Sequence, residues 1–546
     1  MSYQTPTSRA ELQVGELGSL AGFAYSNGVR QFCGIPYGRI SKRWTRAVLA
    51  DSWAAKLHDG TKLGPSAPNP PEVLLRPNQL TPVPQFPHLP ITKYSANDCL
   101  IMNIATPPKS PSSSTPFPVM VYIHGGAFKY GGANRSVFDG VNLVSFSMSR
   151  GSPVVSVALN YRVGIWGFLA SRDIQEDLAR DGFTGCGNFG LTDQKLALKW
   201  LQKYVSFFGG NPDDVTIIGE SAGGTSVAMQ LLSSDEPHLF HRAIQMSGGH
   251  TTLPIMTLKE HDRQYRLLLK RFSIDPEAPD ALQKLREIPE EEVTACTLPL
   301  QGAAVCSYNP CNDGVILGSM GSERPTFDNF KTPPAWLKGF MVGDVADEAI
   351  IFRTNLPYTY DMIWTGLCKF LGEETSRKIL DLYQVSPGSV DPDLRDKFEM
   401  MASDALFIVE NFVMAHRSKV RQTFGYHFDQ RSTLDNALNG TAYHAIDLLY
   451  LFRNLRHEMT DEQKALSDEF AGHFIDFAYG KDPWEPFSKA QKWMVYGPDG
   501  KANLKTEGED DQVRHYQRTR QILDMGLYQG FSDAMDYIAW QRFLTK

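Results

Sequence analysis

At 546 residues, with 42% hydrophobic and 21% charged side chains, the chain has an ordinary globular composition that excludes extensive disorder and leaves room for one large core or several domains. Its 54 basic and 61 acidic side chains give a net charge of -7 with no basic run suited to phosphates, which argues against a nucleic-acid partner. No stretch reaches the roughly 20 apolar residues of a bilayer span, and the polar start Met1-Ser2-Tyr3-Gln4-Thr5-Pro6 lacks the blocks of a signal peptide, so a cytoplasmic location without a membrane span is expected.

From Gly15 to Tyr37, short apolar runs broken by glycines predict a small antiparallel meander at about 13–40. Leu100 to Ala105 reads as a strand, Pro107 to Pro118 as a Pro- and Ser-rich loop, and Val119 to Ile123 and Val154 to Leu159 as further strands. These β-branched runs fit strands covered on both faces. Leu191 to Phe208, with Leu198, Leu201 and Val205 on one face and Gly209-Gly210 as a stop, predicts a helix. The second half is more helical, with helices predicted over Leu258 to Arg286, Ser376 to Tyr383, Ala402 to Arg421 and Asp461 to Tyr479. Short strands at Gly339 to Gly343 and Thr423 to Phe428 would extend the same sheet. The alternation predicts an α/β fold with a mostly parallel central sheet and helices on both faces, in a single domain over 1–546 carrying helical insertions at about 255–335 and 355–420.

The seven cysteines form no CxxC pair and no metal spacing, so free, mostly buried thiols are expected, with no metal and no cofactor. The sequons at Asn134 and Asn439 would matter only in a secreted chain.

The most informative segment joins an apolar strand, Val215-Thr216-Ile217-Ile218, to Gly219-Glu220-Ser221-Ala222-Gly223-Gly224 and then to an apparent helix ending near Leu232. A serine hydroxyl is a poor nucleophile at neutral pH, so it must project from a sharp strand-to-helix turn where a base can reach its proton. Glycines at 219 and 223 allow the backbone to bend tightly there, and the helix turns its first amides and positive dipole end toward the reacting centre. Ser221 is the predicted nucleophile.

Such chemistry needs a base, a carboxylate to orient it and donors for the oxyanion, in the chain order serine, acid, histidine. Ten histidines follow Ser221, so order alone does not choose. His444, after the turn signal Asn439-Gly440 and before an apolar segment, fits a loop position better than His416 within a helix. Glu348 lies just past a predicted strand, with Asp344 and Asp347 as close competitors. Strand Val119 to Ile123 ends in His124-Gly125-Gly126-Ala127-Phe128, which resembles the glycine loop that supplies oxyanion amides.

Further motifs stand in one order: Phe32-Cys33-Gly34-Ile35-Pro36-Tyr37-Gly38, Asn97-Asp98-Cys99-Leu100, Asn160-Tyr161-Arg162, Gly187 to Gln194, and Phe208-Gly209-Gly210-Asn211-Pro212. With them the chain resembles type-B carboxylesterases over nearly its whole length, and the resemblance implies the α/β-hydrolase fold and hydrolysis of carboxylic esters, on a hydrophobic small-molecule ester. It implies Ser221 as nucleophile, Glu348 as acid and His444 as base. The oxyanion hole would comprise Gly125, Gly126, Ala127 and Ala222, with the amides of Gly126, Ala127 and Ala222 as donors, and Glu220 and Ser247 would be buried polar supports. Two other classes share the scaffold: an acyltransferase or lactone-forming enzyme of specialised metabolism, and a non-catalytic binding protein. Retention of all three catalytic residue types argues against the last.

Several positions depart from the family pattern. Asn97 stands where a glutamate is usual, so the buried ion pair expected with an arginine such as Arg43 is weakened or replaced. Ser66 stands near the place of the usual cysteine partner of Cys99, and the second family disulfide is missing, both agreeing with a reducing compartment. Ala127 replaces a glycine, and Leu89 falls near the tryptophan that binds choline in cholinesterases, which disfavours that activity. The substrate pocket is expected from the segment Pro68 to Pro90 and the insertions after His250.

Overall fold

The computed structural model describes residues 4–53, 57–70, 80–91, 93–108, 115–233, 239–297, 308–316, 333–353 and 357–544. Parts of the expected pocket and insertion segments, 71–79, 298–307, 317–332 and 354–356, lie outside the described residues, as does Cys306.

One sheet organises the chain. Its strands are β1 (Ser8–Val14), β2 (Gly18–Ala24), β3 (Arg30–Pro36), β4 (Ile101–Thr106), β5 (Phe117–Ile123), β6 (Val155–Leu159), β7 (Gly210–Glu220), β8 (Arg242–Met246), β9 (Gly339–Val345), β10 (Gln422–Phe428), β11 (Lys492–Tyr496) and β12 (Ala502–Thr506). They lie in the order β1-β2-β3-β4-β6-β5-β7-β8-β9-β10-β11-β12, with a short strand Leu57–Asp59 added beside β2. From β6 through β11 every pairing is parallel, whereas both margins are antiparallel apart from the short strand Leu57–Asp59, which runs parallel to β2. β5, β6 and β8 to β10 are buried almost throughout, as their unbroken apolar runs predict for strands covered on both faces. Two apolar clusters flank the sheet, one containing Val119, Val121, Ile217, Leu198 and Leu201, the other Met120, Tyr122, Ile218, Met341 and Phe424. Alternate residues of one strand thus feed opposite layers.

The meander begins at Ser8, earlier than the predicted start, and the antiparallel margin β11–β12 lies beyond the strands that the sequence predicts. The helix predicted over Leu258 to Arg286 is two, Leu258–Arg271 and Ala281–Glu287. Ser273 turns left-handed between them, and Pro276 and Pro279 cannot continue a helix. The one expected at Ser376 is the end of Tyr360–Leu382, bent at Gly372. The one expected to run to Arg421 stops at Arg417, where Ser418 is extended.

Candidate active site

The parallel strands deliver their carboxyl ends to one edge of the sheet, the usual place for a ligand crevice in open α/β sheets. β7 ends at Glu220, and Ser221 follows at φ 60°, ψ -125° before the helix Ala222–Leu232. A non-glycine residue in that region costs about 1–3 kcal/mol, so the surroundings must hold it. The Ser221 amide donates to the Met246 carbonyl (2.9 Å), and the Ser221 carbonyl accepts from the Thr225 amide (3.0 Å). A β-carbon on Gly219 would lie 2.0 Å from the Gly223 carbonyl oxygen, one on Gly223 2.0 Å from that of Ile123, and one on Gly248 2.1 Å from that of Ser221. The flanking glycines are therefore steric necessities, and so is Gly248. Ser221 keeps partial exposure within a buried surround.

Glu348 begins a short helical turn three residues past β9, and His444 sits in the long loop after β10. The two loops are stitched together: Asp347 and Tyr443 form a parallel bridge, the Asp347 amide donates to the Ala442 carbonyl (2.9 Å), and the Ala442 amide donates to Asp347 Oδ2 (2.7 Å). This register puts Glu348 Oε2 2.5 Å from His444 Nδ1. The Val345 amide donates to the other carboxylate oxygen (3.0 Å). Burial pushes the Glu348 carboxyl up, and the His444 ring pulls it the other way.

The competing carboxylates have other partners. Asp347 holds the His444 loop, as above. Asp344 takes His427 Nδ1 (2.7 Å) and Arg514 (3.0 Å), which hold its carboxyl below the usual range against its burial. The competing histidines are similarly engaged: His250 with Glu410, His416 with Glu507, His457 with Glu458, His473 with the Tyr496 hydroxyl, and His241 with the Val215 amide.

On its other edge, His444 presents Nε2 2.9 Å from Glu220 Oε1. Among the described residues, Nε2 and Glu220 Oε1 are both buried without hydrogen-bond partners, so the Ser221 hydroxyl and the ring are not joined in this structure. Apo sites commonly have loose contacts of this kind that tighten with substrate. Ser247, at φ 47°, donates its amide to the Gly343 carbonyl (2.8 Å), while its buried hydroxyl has no partner among the described residues.

The glycine loop after β5 is bound to its neighbours on both sides. The His124 ring stacks on Tyr161 with centroids 4.3 Å apart, and the Tyr161 hydroxyl donates to the His124 carbonyl (2.7 Å). Burial lowers His124 to about 4, which keeps it neutral. The Gly126 carbonyl accepts the Lys129 and Tyr130 amides (2.9 and 3.1 Å), and Gly126 itself is at φ 114°. Ala127 and Phe128 are both left-handed, at φ 53° and 59°. Gly125 packs on the serine turn, where a β-carbon would lie 2.9 Å from that of Ser221. Among the described residues, the amides of Gly126, Ala127 and Ala222 donate no hydrogen bond.

Two residues not singled out from sequence join this neighbourhood. Asp447 is fully buried, accepts from the Tyr426 hydroxyl (3.0 Å) and is pushed up to about 8 by burial and then by the Glu220 charge. Its only sequence signal is its place three residues after His444. Lys129, buried, donates from Nζ to the Ala127 carbonyl (3.2 Å) and to Asn309 (3.0 Å). The departures resolve too. Asn97 is exposed, and Arg43 donates to the carbonyls of Arg286 and Ile288 and lies over Trp166, so main-chain oxygens replace the absent glutamate. Leu89 packs with Cys33, Leu63 and Phe86.

Comparison with known proteins gives a consistent result. A family model described as "Carboxylesterase family" matches residues 8–523. Lipase 3 of Yarrowia lipolytica is 28% identical over 477 residues, covering 86% of this chain and 88% of the relative. The para-nitrobenzyl esterase of Bacillus subtilis is 29% identical over 501 residues, covering 88% and 92%. The cocaine esterase of Homo sapiens is 29% identical over 516 residues, covering 88% and 85%. A solved PNB esterase superposes with a TM-score of 0.71 at 25% identity, covering 93% of this chain and 99% of that one. The fold is that of the α/β-hydrolases.

Proposed function

The chain belongs to the carboxylesterase family and is a carboxylic ester hydrolase, and from that premise we propose that it works through an acyl-enzyme on Ser221, with His444 as base and Glu348 as the acid that orients it. The observation that carries this reading is the contact between His444 Nδ1 and Glu348, made by a ring whose other edge meets Glu220, the residue before the strained serine.

In this mechanism the Ser221 hydroxyl attacks the ester carbonyl carbon while His444 Nε2 takes its proton. Glu348 fixes the tautomer that leaves Nε2 free to accept, and then stabilises the imidazolium. The tetrahedral oxyanion accepts from the amides of Gly126, Ala127 and Ala222, which have no acceptor of their own among the described residues. Collapse expels the alcohol with the proton held by His444. Water then attacks the acyl group by the same transfers in reverse, releasing the acid and the free serine. Glu220 and Ser247 are read as supports of this centre, and the chain as one catalytic domain, since a single sheet runs from Ser8 to Thr506.

We assign the substrate as a small-molecule carboxylic ester with an apolar portion. Phe407 lies 5.1 Å from the His444 ring between centroids, and the Ala127 methyl adds bulk where the oxyanion loop of the family more often has glycine. The test is covalent labelling by an organophosphate, mapped to the peptide containing Ser221, with ester turnover followed in parallel. Labelling elsewhere, or full turnover by a folded Ser221→Ala variant, refutes the reading. Adding a competing alcohol separates outcomes: hydrolysis gives mainly free acid, whereas an acyltransferase gives the new ester.

A further inference from the structure

Cys186 and Cys311 are 125 residues apart in sequence, yet their sulfurs are 3.7 Å apart, both buried, in thiol–thiol contact and not joined by a disulfide. Neither takes part in the chemistry above. The backbone around them is fixed independently of the sulfurs: the Asn188 side chain donates to the Cys311 carbonyl (2.7 Å) and accepts from the Cys311 amide (2.7 Å). The segment 308–316 is further paired with Met256, whose amide donates to the Pro310 carbonyl and whose carbonyl accepts the Asn312 amide, both at 2.8 Å. Joining the sulfurs closes this 3.7 Å gap to a disulfide distance of about 2 Å.

We propose that Cys186 and Cys311 form a site of reversible oxidative modification, closing to a disulfide that ties segment 308–316 to the loop before the helix Phe189–Tyr204. The two sulfurs are not equivalent. Cys186 lies by the Arg46 guanidinium, which donates to the neighbouring Gly187 carbonyl (2.6 Å). Cys311 has Asp313 and Asp262 within electrostatic reach, and the Cys186 contact, burial and those carboxylates all push its thiol up. Cys311 is thus the poorer first nucleophile, and Cys186 attacks first. With hydrogen peroxide as oxidant, the Cys186 thiolate attacks one oxygen, the O–O bond breaks, and sulfenic acid and hydroxide form. The Cys311 sulfur then attacks that sulfenic sulfur, the S–S bond forms and the S–O bond breaks. The Cys311 proton leaves with the hydroxyl group as water. Overall two thiols lose two electrons and one peroxide becomes two waters.

The tie reaches the catalytic edge. Segment 308–316 carries Asn309, which accepts from Lys129 Nζ, and the same ammonium donates to the carbonyl of Ala127 in the glycine loop. Closing a loop of this length constrains the unfolded chain most, so the effect is on stability.

The experiment compares one full-length protein in two states, reduced with a dithiol or oxidised with hydrogen peroxide, followed by alkylation, peptide mapping and thermal unfolding. The expected oxidised form carries one cross-linked peptide pair containing Cys186 and Cys311, melts about 4 °C higher, and reverts on reduction. Cys311→Ser is expected to lose the cross-link and the shift together. Both thiols remaining alkylatable after oxidation, a bond to a different cysteine, or a cross-link with no rise in Tm overturns the proposal. None of these readouts depends on which residue carries ester turnover.

Discussion

Glu220 Oε1 stands 2.9 Å from Nε2 of His444, on the ring edge opposite the one that Glu348 takes at Nδ1. One buried imidazole is thus shared by two carboxylates. Burial opposes the charged ring, but Glu220 and Glu348 outweigh it and raise His444 above the ordinary imidazole range. A base works only when deprotonated, so Glu220 controls the pH at which the proposed nucleophile can be activated.

Replacing Glu220 with Gln keeps the shape of the side chain and removes one negative charge. The imidazolium loses a stabilising partner, the His444 pKa falls, and the acid limb of the kcat/KM profile moves to lower pH by about one unit. A pH–rate series on both proteins measures this, and an unmoved acid limb would show that Glu220 does not share the ring.

Ser221→Ala or His444→Ala is expected to lower kcat about a million-fold, because the residues of such a unit fail together. Glu348→Gln should cost less, about ten-thousand-fold, since the ring can still reach the serine in a minority tautomer. Circular dichroism must show each variant folded. Equal losses for a distant histidine such as His457, which pairs with Glu458 at the surface, would contradict the assignment.

The serine turn gives a steric prediction with an internal control. In Gly223→Ala the added carbon meets the Ile123 carbonyl oxygen at 2.0 Å, a main-chain atom that cannot swing away. A loss of more than about 3 kcal/mol, or failure to fold, is expected. A β-carbon on Gly508, in the helix Glu507–Arg514, would meet nothing within 4 Å, and Gly508→Ala should be neutral or stabilise by up to about 1 kcal/mol. Denaturant unfolding of both variants checks the contrast.

The serine turn was legible in sequence because its requirement is local: a strand, two glycines and a helix lie within a few residues of Ser221. The proposed acid was not, because Asp344, Asp347 and Glu348 share one polar loop and differ only in what distant chain brings to them. Arg514 and His427 claim Asp344, the Ala442 amide claims Asp347, and the His444 ring is left for Glu348. The resemblance chose Glu348, and composition alone would not have. The antiparallel margin was hidden because Ala502–Thr506, partly exposed along its length, has little apolar alternation. The break after Arg271 is marked by Pro276 and Pro279, although helical periodicity on either side of them masks it.

Asp447 carries the last prediction. One of its oxygens accepts from Tyr426 and the other has no partner among the described residues, and burial followed by the Glu220 charge pushes its carboxyl up to about 8. Its folded value lies above the unfolded value of about 3.9. The preference for the neutral form is therefore fully present below about pH 4 and is lost as pH rises through about 8, because the unfolded chain releases the proton more readily. Asp447→Asn keeps the acceptor for Tyr426 and never ionises, so it escapes that loss. Its stability relative to the parent should rise between about pH 4 and 8, by about 1–3 kcal/mol once the site relaxes, and then level off. Because the other titrating groups are common to both proteins, the difference between their denaturant curves isolates this carboxyl. A difference that stays constant with pH, or shrinks as pH rises, would mean that Asp447 is ionised in the folded protein and that its second oxygen has found a donor.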